Sequence, residues 1–140
     1  MQHEKLYLKT YIFDKDSVLL VKQDNRWGPI GGEITNDEER IEKLDGILED
    51  KTGLDVSHVY EKITDDMPKT VSFNYRKDGD KWNLILEFLS ETDSLEDLDM
   101  EDGVEYKIID LQDLDEHDFD ERTKEKVRMA KEQYKELTKR

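Results

Sequence analysis

No feature of this sequence constrains its fold more than the order in which its hydrophobic periodicities change. Leu6 to Phe13 alternates and is rich in β-formers, Asp14-Lys15-Asp16 reads as a turn, and Ser17 to Gln23 reads as a second strand. The two form a hairpin. Asp24 to Pro29 reads as a loop, followed by Ile30-Gly31-Gly32-Glu33-Ile34. Asn36 to Lys51 then takes a helical period, with Asn36 as cap, Glu39 completing a capping box, and Gly53 as the C-terminal stop. Val56 to Ile63 reads as a strand. Thr70 to Tyr75 and Trp82 to Leu89 flank Lys77-Asp78-Gly79-Asp80, a strong hairpin signal, and Trp82, Leu84, Leu86 and Phe88 share one face. Val104 to Asp110 is the last strand. Asp120 to Lys139 is a helix with an apolar stripe at Val127, Ala130, Tyr134 and Leu137. Hairpin, helix, several strands, helix: this order predicts an α/β (α+β) fold, a mixed sheet with helices on its faces.

The 140 residues suit one domain spanning 1–140, and no repeat or Pro/Gly/Ser-rich linker divides them. Charged residues make up 42% and hydrophobic residues 34%, yet the apolar ones fall in periodic runs, as in a folded chain. The formal charge of -15 repels phosphate backbones and anionic lipid surfaces, so neither nucleic acid nor membrane is an expected partner. An anionic small ligand needs a local basic site or a metal to offset that field. There is no cysteine, which excludes disulfides, zinc-thiolate sites and thiol nucleophiles. With no apolar leader segment and no run of about 18 apolar residues, the expectation is a soluble cytoplasmic protein. His3, His58 and His117 have no metal-ligand spacing and read as surface residues.

Gly31-Gly32-Glu33-Ile34, Glu38 and Thr52-Gly53-Leu54 together resemble the Nudix box: G, five residues, E, seven residues, R-E-U-x-E-E-x-G-U, with U aliphatic. Counted from Gly32, both ends fit without a gap. Trp27 stands where the family often has a tryptophan before its glycine pair, and Ile30 replaces the frequent proline, with Pro29 one place earlier. Glu105 to Ile109 and Leu111 to Leu114 look like the family's late strand and following helix start. The resemblance implies an α/β/α sandwich. It also implies hydrolysis of a diphosphate linked to another moiety, with magnesium or manganese neutralising the phosphoryl charge and activating water.

The departures fall on the chemistry. The family's arginine is Gly46, its next glutamate Ile47, and its glutamate pair Asp50 and Lys51. Glu38 and Asp50 are the carboxylates left as catalytic or metal ligands; the alternative is a helix-terminal acid at Glu38, favoured by the helix dipole, and a solvated acid at Asp50. At about 100° per residue from Glu38, positions 47, 50 and 51 lie near 180°, 120° and 220°, with Arg40 near 200° and Lys43 near 140°. The acids Glu42, Asp45 and Glu49 fall between about -20° and 40°, on the opposite side, and Ile41, Leu44 and Leu48 at about 240–300° form the apolar stripe. The helix is rich in acid but presents its carboxylates to solvent, where the resemblance implies metal.

Candidate ligand contacts are Trp27, Gly31, Gly32, Arg40, Lys43, Lys51 and Glu87. Arg40, Lys43 and Lys51 could form a phosphate patch or a solvated, ion-paired face. Trp27 could stack on a planar group or anchor its loop. Glu87 could face a pocket. The segment 91–102 carries seven acids (Glu91, Asp93, Glu96, Asp97, Asp99, Glu101, Asp102) and reads as a loop, a source of a replacement ligand or a solvated charge run. Three functions fit: a hydrolase of nucleoside diphosphate-linked compounds with weak or lost activity, using magnesium or manganese if active and otherwise no cofactor; a non-catalytic module for a small phosphorylated ligand such as a nucleotide derivative; and an acidic protein-interaction domain.

Overall fold

The computed structural model describes residues 5–23, 25–34, 40–61, 64–68, 70–78 and 81–138. The sheet is assembled around β1 (Lys5–Asp14). One edge of β1 pairs antiparallel with β2 (Ser17–Gln23) near Ile12 and with β4 (Ile30–Ile34) between Leu6 and Thr10. Its other edge pairs with β9 (Lys81–Glu91) in parallel over its whole length, Lys5 opposite Asn83 through Phe13 opposite Glu91. β8 (Thr70–Asp78) and β5 (Ser57–His58) pair antiparallel with β9, and β10 (Tyr106–Asp110) and β3 (Arg26–Gly28) with β2, which completes a mixed sheet of eight strands among the described residues.

Alternation along β1 feeds two cores. Leu6, Leu8 and Ile12 pack with Leu44 and Leu48 of α1 (Arg40–Thr52) on one face. Tyr11 and Phe13 pack on the other face with Val127 and Ala130 of α2 (Glu121–Leu137). Two helices covering opposite faces make the expected α/β/α sandwich. The α2 stripe is a packing stripe: Tyr134 and Leu137 lie against the same core, and the Tyr134 ring stacks on Phe13 at 4.4 Å. Asp120 caps α2 by accepting from Thr123 N–H at 2.7 Å.

The hairpin, α1 and α2 lie where periodicity places them; the differences fall between them. The segment expected as a loop from Asp24 to Pro29 contains β3 (Arg26–Gly28), because Lys22 and Gln23 of β2 overhang β1 and pair with Trp27 and Arg26 instead. The strand expected over Val56–Ile63 is broken. Ser57 and His58 join β9, whereas β6 (Tyr60–Glu61) pairs with β7 (Thr64–Pro68) in a separate ribbon. The acidic loop holds a 3₁₀ turn at Leu95–Asp97, tied down by the buried Leu95. The cap expected at Asn36 and Glu39 and the turn at Gly79-Asp80 lie outside the described residues.

Candidate functional site

Gly31 faces Lys9 across the β1–β4 pair, and α1 ends at Thr52. Gly53 stops the helix as expected: its φ is 66°, and its N–H donates to Glu49 O at 2.9 Å. The Thr52 hydroxyl, fully buried, donates to Leu48 O at 2.6 Å and accepts from Leu54 N–H at 3.1 Å. The late acidic loop is strapped to this terminus, since Asp99 N–H donates to Thr52 O and Glu101 N–H to Lys51 O.

α1 faces as its angles require. Leu44 and Leu48 are buried, and Glu42, Asp45, Glu49 and Asp50 are exposed. Asp45 is an exception to simple solvation, because its Oδ1 bonds His58 Nε2 at 2.5 Å. His58 is therefore not a surface residue. Its side chain is 5% exposed, and its Nδ1 bonds Ser90 Oγ at 2.8 Å. Ser90 Oγ also lies 2.6 Å from Thr10 Oγ1. A serine, histidine and aspartate in series suggest a nucleophile, but Ser90 is fully buried and no substrate can reach it. The chain of bonds instead ties α1 to three strands.

The resemblance implies a divalent metal beside α1, which needs several hard oxygen ligands. The described side chains of α1 and the late loop do not bring such a set together. Among the described residues no three His, Asp or Glu groups converge. Lys51 turns its ammonium onto Gly31 O at 2.9 Å, placing a fixed cation where a ligand carboxylate is required. Ile47 lies against Gly32, its Cδ1 3.3 Å from where a Cβ would be. Asp50 and most acids of the late loop are exposed, while Glu91 accepts from Tyr134 O–H at 2.8 Å. Glu38 lies outside the described residues. Lys43 is exposed; Arg40 lies at the start of α1.

A cavity among the described residues lies on the opposite face, between the sheet and the N-terminal end of α2. It holds about 540 Å³, within the usual range for small-molecule sites. Trp27 and Glu87 line it; Gly31, Gly32, Lys43, Asp50 and Lys51 do not. Four cations line it as well: Lys9 from β1, Arg26 from β3, and Arg122 and Lys126 from α2. Arg26 and Arg122 are exposed at the mouth, and Lys9 donates to Gln23 Oε1 at 3.3 Å. Against them stand Glu87 and Asp120. The Thr123 N–H hydrogen bond holds the Asp120 carboxyl below the usual range, with smaller contributions from the Arg26 and Arg122 charges. Burial, then the charge of Glu87, pushes the Tyr11 phenol far above the ordinary tyrosine range, so it stays neutral. Trp27 packs edge-to-face with Phe119 at 5.7 Å, and Lys107 Nζ sits 5.1 Å from its ring centre. The indole is thereby fixed beside the cavity.

None of the four cations belongs to a motif, and they come from residues far apart in sequence. The available signals were slight: Lys9 shares the Tyr11 face of β1, and Arg122 and Lys126 stand four apart on α2, beside the packing stripe.

No protein-family model matches the sequence, and no curated protein does either. Solved structures do match. A Nudix-family hydrolase from Clostridium perfringens superposes with a TM-score of 0.72 at 18% identity, over 93% of this chain and 96% of that one. The Nudix domain of Shewanella oneidensis NrtR, crystallised with ADP-ribose, gives 0.63 at 17% identity, over 96% and 90%. An ADP-ribose pyrophosphatase from Streptococcus suis gives 0.60 at 18% identity, over 93% and 91%. No described helix is long and apolar enough to cross a membrane. The element order, the mixed sheet between α1 and α2 and these superpositions agree: the chain has the Nudix superfamily fold.

Proposed function

We propose that this chain binds a phosphorylated nucleotide derivative in the cavity beneath α2 and hydrolyses it weakly or not at all. The observation that carries the reading is the set of four cations around one cavity in a chain of formal charge -15. Basic side chains gathered against so acidic a background supply the local site that an anionic ligand requires. Arg26 and Arg122 are the phosphate contacts at the mouth, and Trp27 offers a rigid planar wall for a base. Loss of hydrolysis follows from the donor set on α1, where Ile47 and Lys51 stand at positions that hold carboxylates in the family. The NrtR neighbour supports ADP-ribose as the first compound to try.

The test is thermal denaturation with ADP-ribose, in manganese and in chelator. At a hundred times Kd a ligand adds about 2.7 kcal/mol, roughly 5–10 °C for a chain of this size. We expect the same shift in both buffers, its reduction by Arg26→Glu with Arg122→Glu, and intact ADP-ribose afterwards. Manganese-dependent turnover abolished by Asp50→Asn would overturn the non-catalytic part.

A further inference from the structure

Glu87 is out of place in a cavity built for an anion. It lies on β9 between Ile85 and Leu89, on the face that looks toward α2, and is 4% exposed. Its Oε1 has no hydrogen-bond partner among the described residues. Lys126 Nζ approaches to 3.6 Å, close enough for attraction and too far for a hydrogen bond. A buried carboxylate oxygen left without a donor destabilises the free protein. The cavity is thus polarised: exposed guanidinium groups at the mouth, and an unsatisfied acceptor deep in the wall.

We infer that Glu87 is the specificity-determining residue of this cavity, its Oε1 accepting a hydrogen bond from an N–H or O–H group at the end of the ligand remote from its phosphates. The inference rests on the binding function proposed above and names what that site selects. The donor is a base amine or imide, or a sugar hydroxyl; both present the same chemistry to a carboxylate. Lys126 Nζ stands 3.6 Å from Oε1 and leaves it open to a third group. A ligand with phosphates alone satisfies the mouth and leaves Oε1 as it is. A ligand that also carries a donor at the right depth satisfies both, and discrimination of this kind is strong because the penalty falls on the wrong ligand.

The experiment is calorimetric titration of the whole chain with ADP-ribose, AMP, ribose 5-phosphate and inorganic pyrophosphate, for wild type, Glu87→Met and Glu87→Gln. Glu87→Met should weaken ADP-ribose by about 10-fold or more, from the loss of one charged acceptor. It should leave pyrophosphate unchanged or tighter, since a negative charge is removed. Glu87→Gln keeps a neutral acceptor of similar shape and should retain ADP-ribose within about 10-fold. The melting temperature of free Glu87→Met should match or exceed that of wild type. Weakening of AMP but not ribose 5-phosphate assigns the donor to the base; weakening of both assigns it to the sugar. ADP-ribose binding to Glu87→Met as tightly as to wild type overturns the inference while leaving the binding function intact. Loss of fold or of free-state stability in Glu87→Met makes Glu87 a structural ion-pair partner and overturns it too. Wild type that binds neither ADP-ribose nor pyrophosphate overturns the binding function itself, and this inference with it.

Discussion

Gly31 leaves no room for a side chain. A Cβ there would lie 1.9 Å from Leu8 O and 2.7 Å from Lys9 Cα, both backbone atoms of the strand it pairs with. Gly46 is the reverse case: it is exposed in mid-helix, and nothing lies within 4 Å of an added Cβ. Close packing is therefore not why Gly46 is a glycine, and nothing in the structure explains it. Gly31→Ala should force β1 and β4 apart and cost on the order of 4 kcal/mol or more. Gly46→Ala should stabilise by about 1 kcal/mol through helix propensity. Urea denaturation of the two variants checks both, and equal effects would refute the assignment. The sequence could place both glycines in the box frame, but not separate their roles. Gly31 is explained by a strand more than twenty residues earlier, and only the folded sheet brings that strand beside it. Lys51 is similar: its charge at a ligand position was legible, its bond to Gly31 O was not.

Among elements, α1 was the most readable, because its burial follows a local period: the 100° rule separates Leu44 and Leu48 from Glu42 and Glu49 without knowledge of the rest. What fastens α1 to the sheet was not readable. The bonds Asp45–His58, His58–Ser90 and Ser90–Thr10 join residues 13, 32 and 80 positions apart. A lone histidine gives no sign of such partners. Ser90 sits at the centre of this network, with polar neighbours on both sides and no access to water. Ser90→Ala removes the partner of Thr10 Oγ1 and of His58 Nδ1 together. Each buried group left unsatisfied costs about 1–3 kcal/mol, so the variant should lose roughly 2–6 kcal/mol and shift its urea midpoint down with an unchanged slope. A variant as stable as wild type would show that the series of bonds does not fasten the helix.

At the scale of the molecule, two electrostatic arrangements coexist: an acidic surface, dense along Glu96, Asp97, Asp99, Glu101 and Asp102, and a basic cavity mouth at Arg26 and Arg122. Net charge was legible from composition; the basic cavity needed the fold, since it is assembled from β1, β3 and α2. The two respond oppositely to salt. Raising sodium chloride from about 20 mM to 500 mM shortens the screening length from roughly 20 Å to about 4 Å. Mutual repulsion of the surface acids opposes the compact state, so screening it should raise the melting temperature of the free protein. Phosphates held by the exposed guanidinium groups should instead lose affinity over the same range, because those contacts are themselves screened. If the field of the whole chain governed the cavity, added salt would relieve the repulsion of an incoming anion, and ADP-ribose would bind more tightly. The sign of the salt dependence of binding, measured beside the rise in melting temperature, therefore decides whether four local cations outweigh a formal charge of -15. We expect stability to rise and affinity to fall.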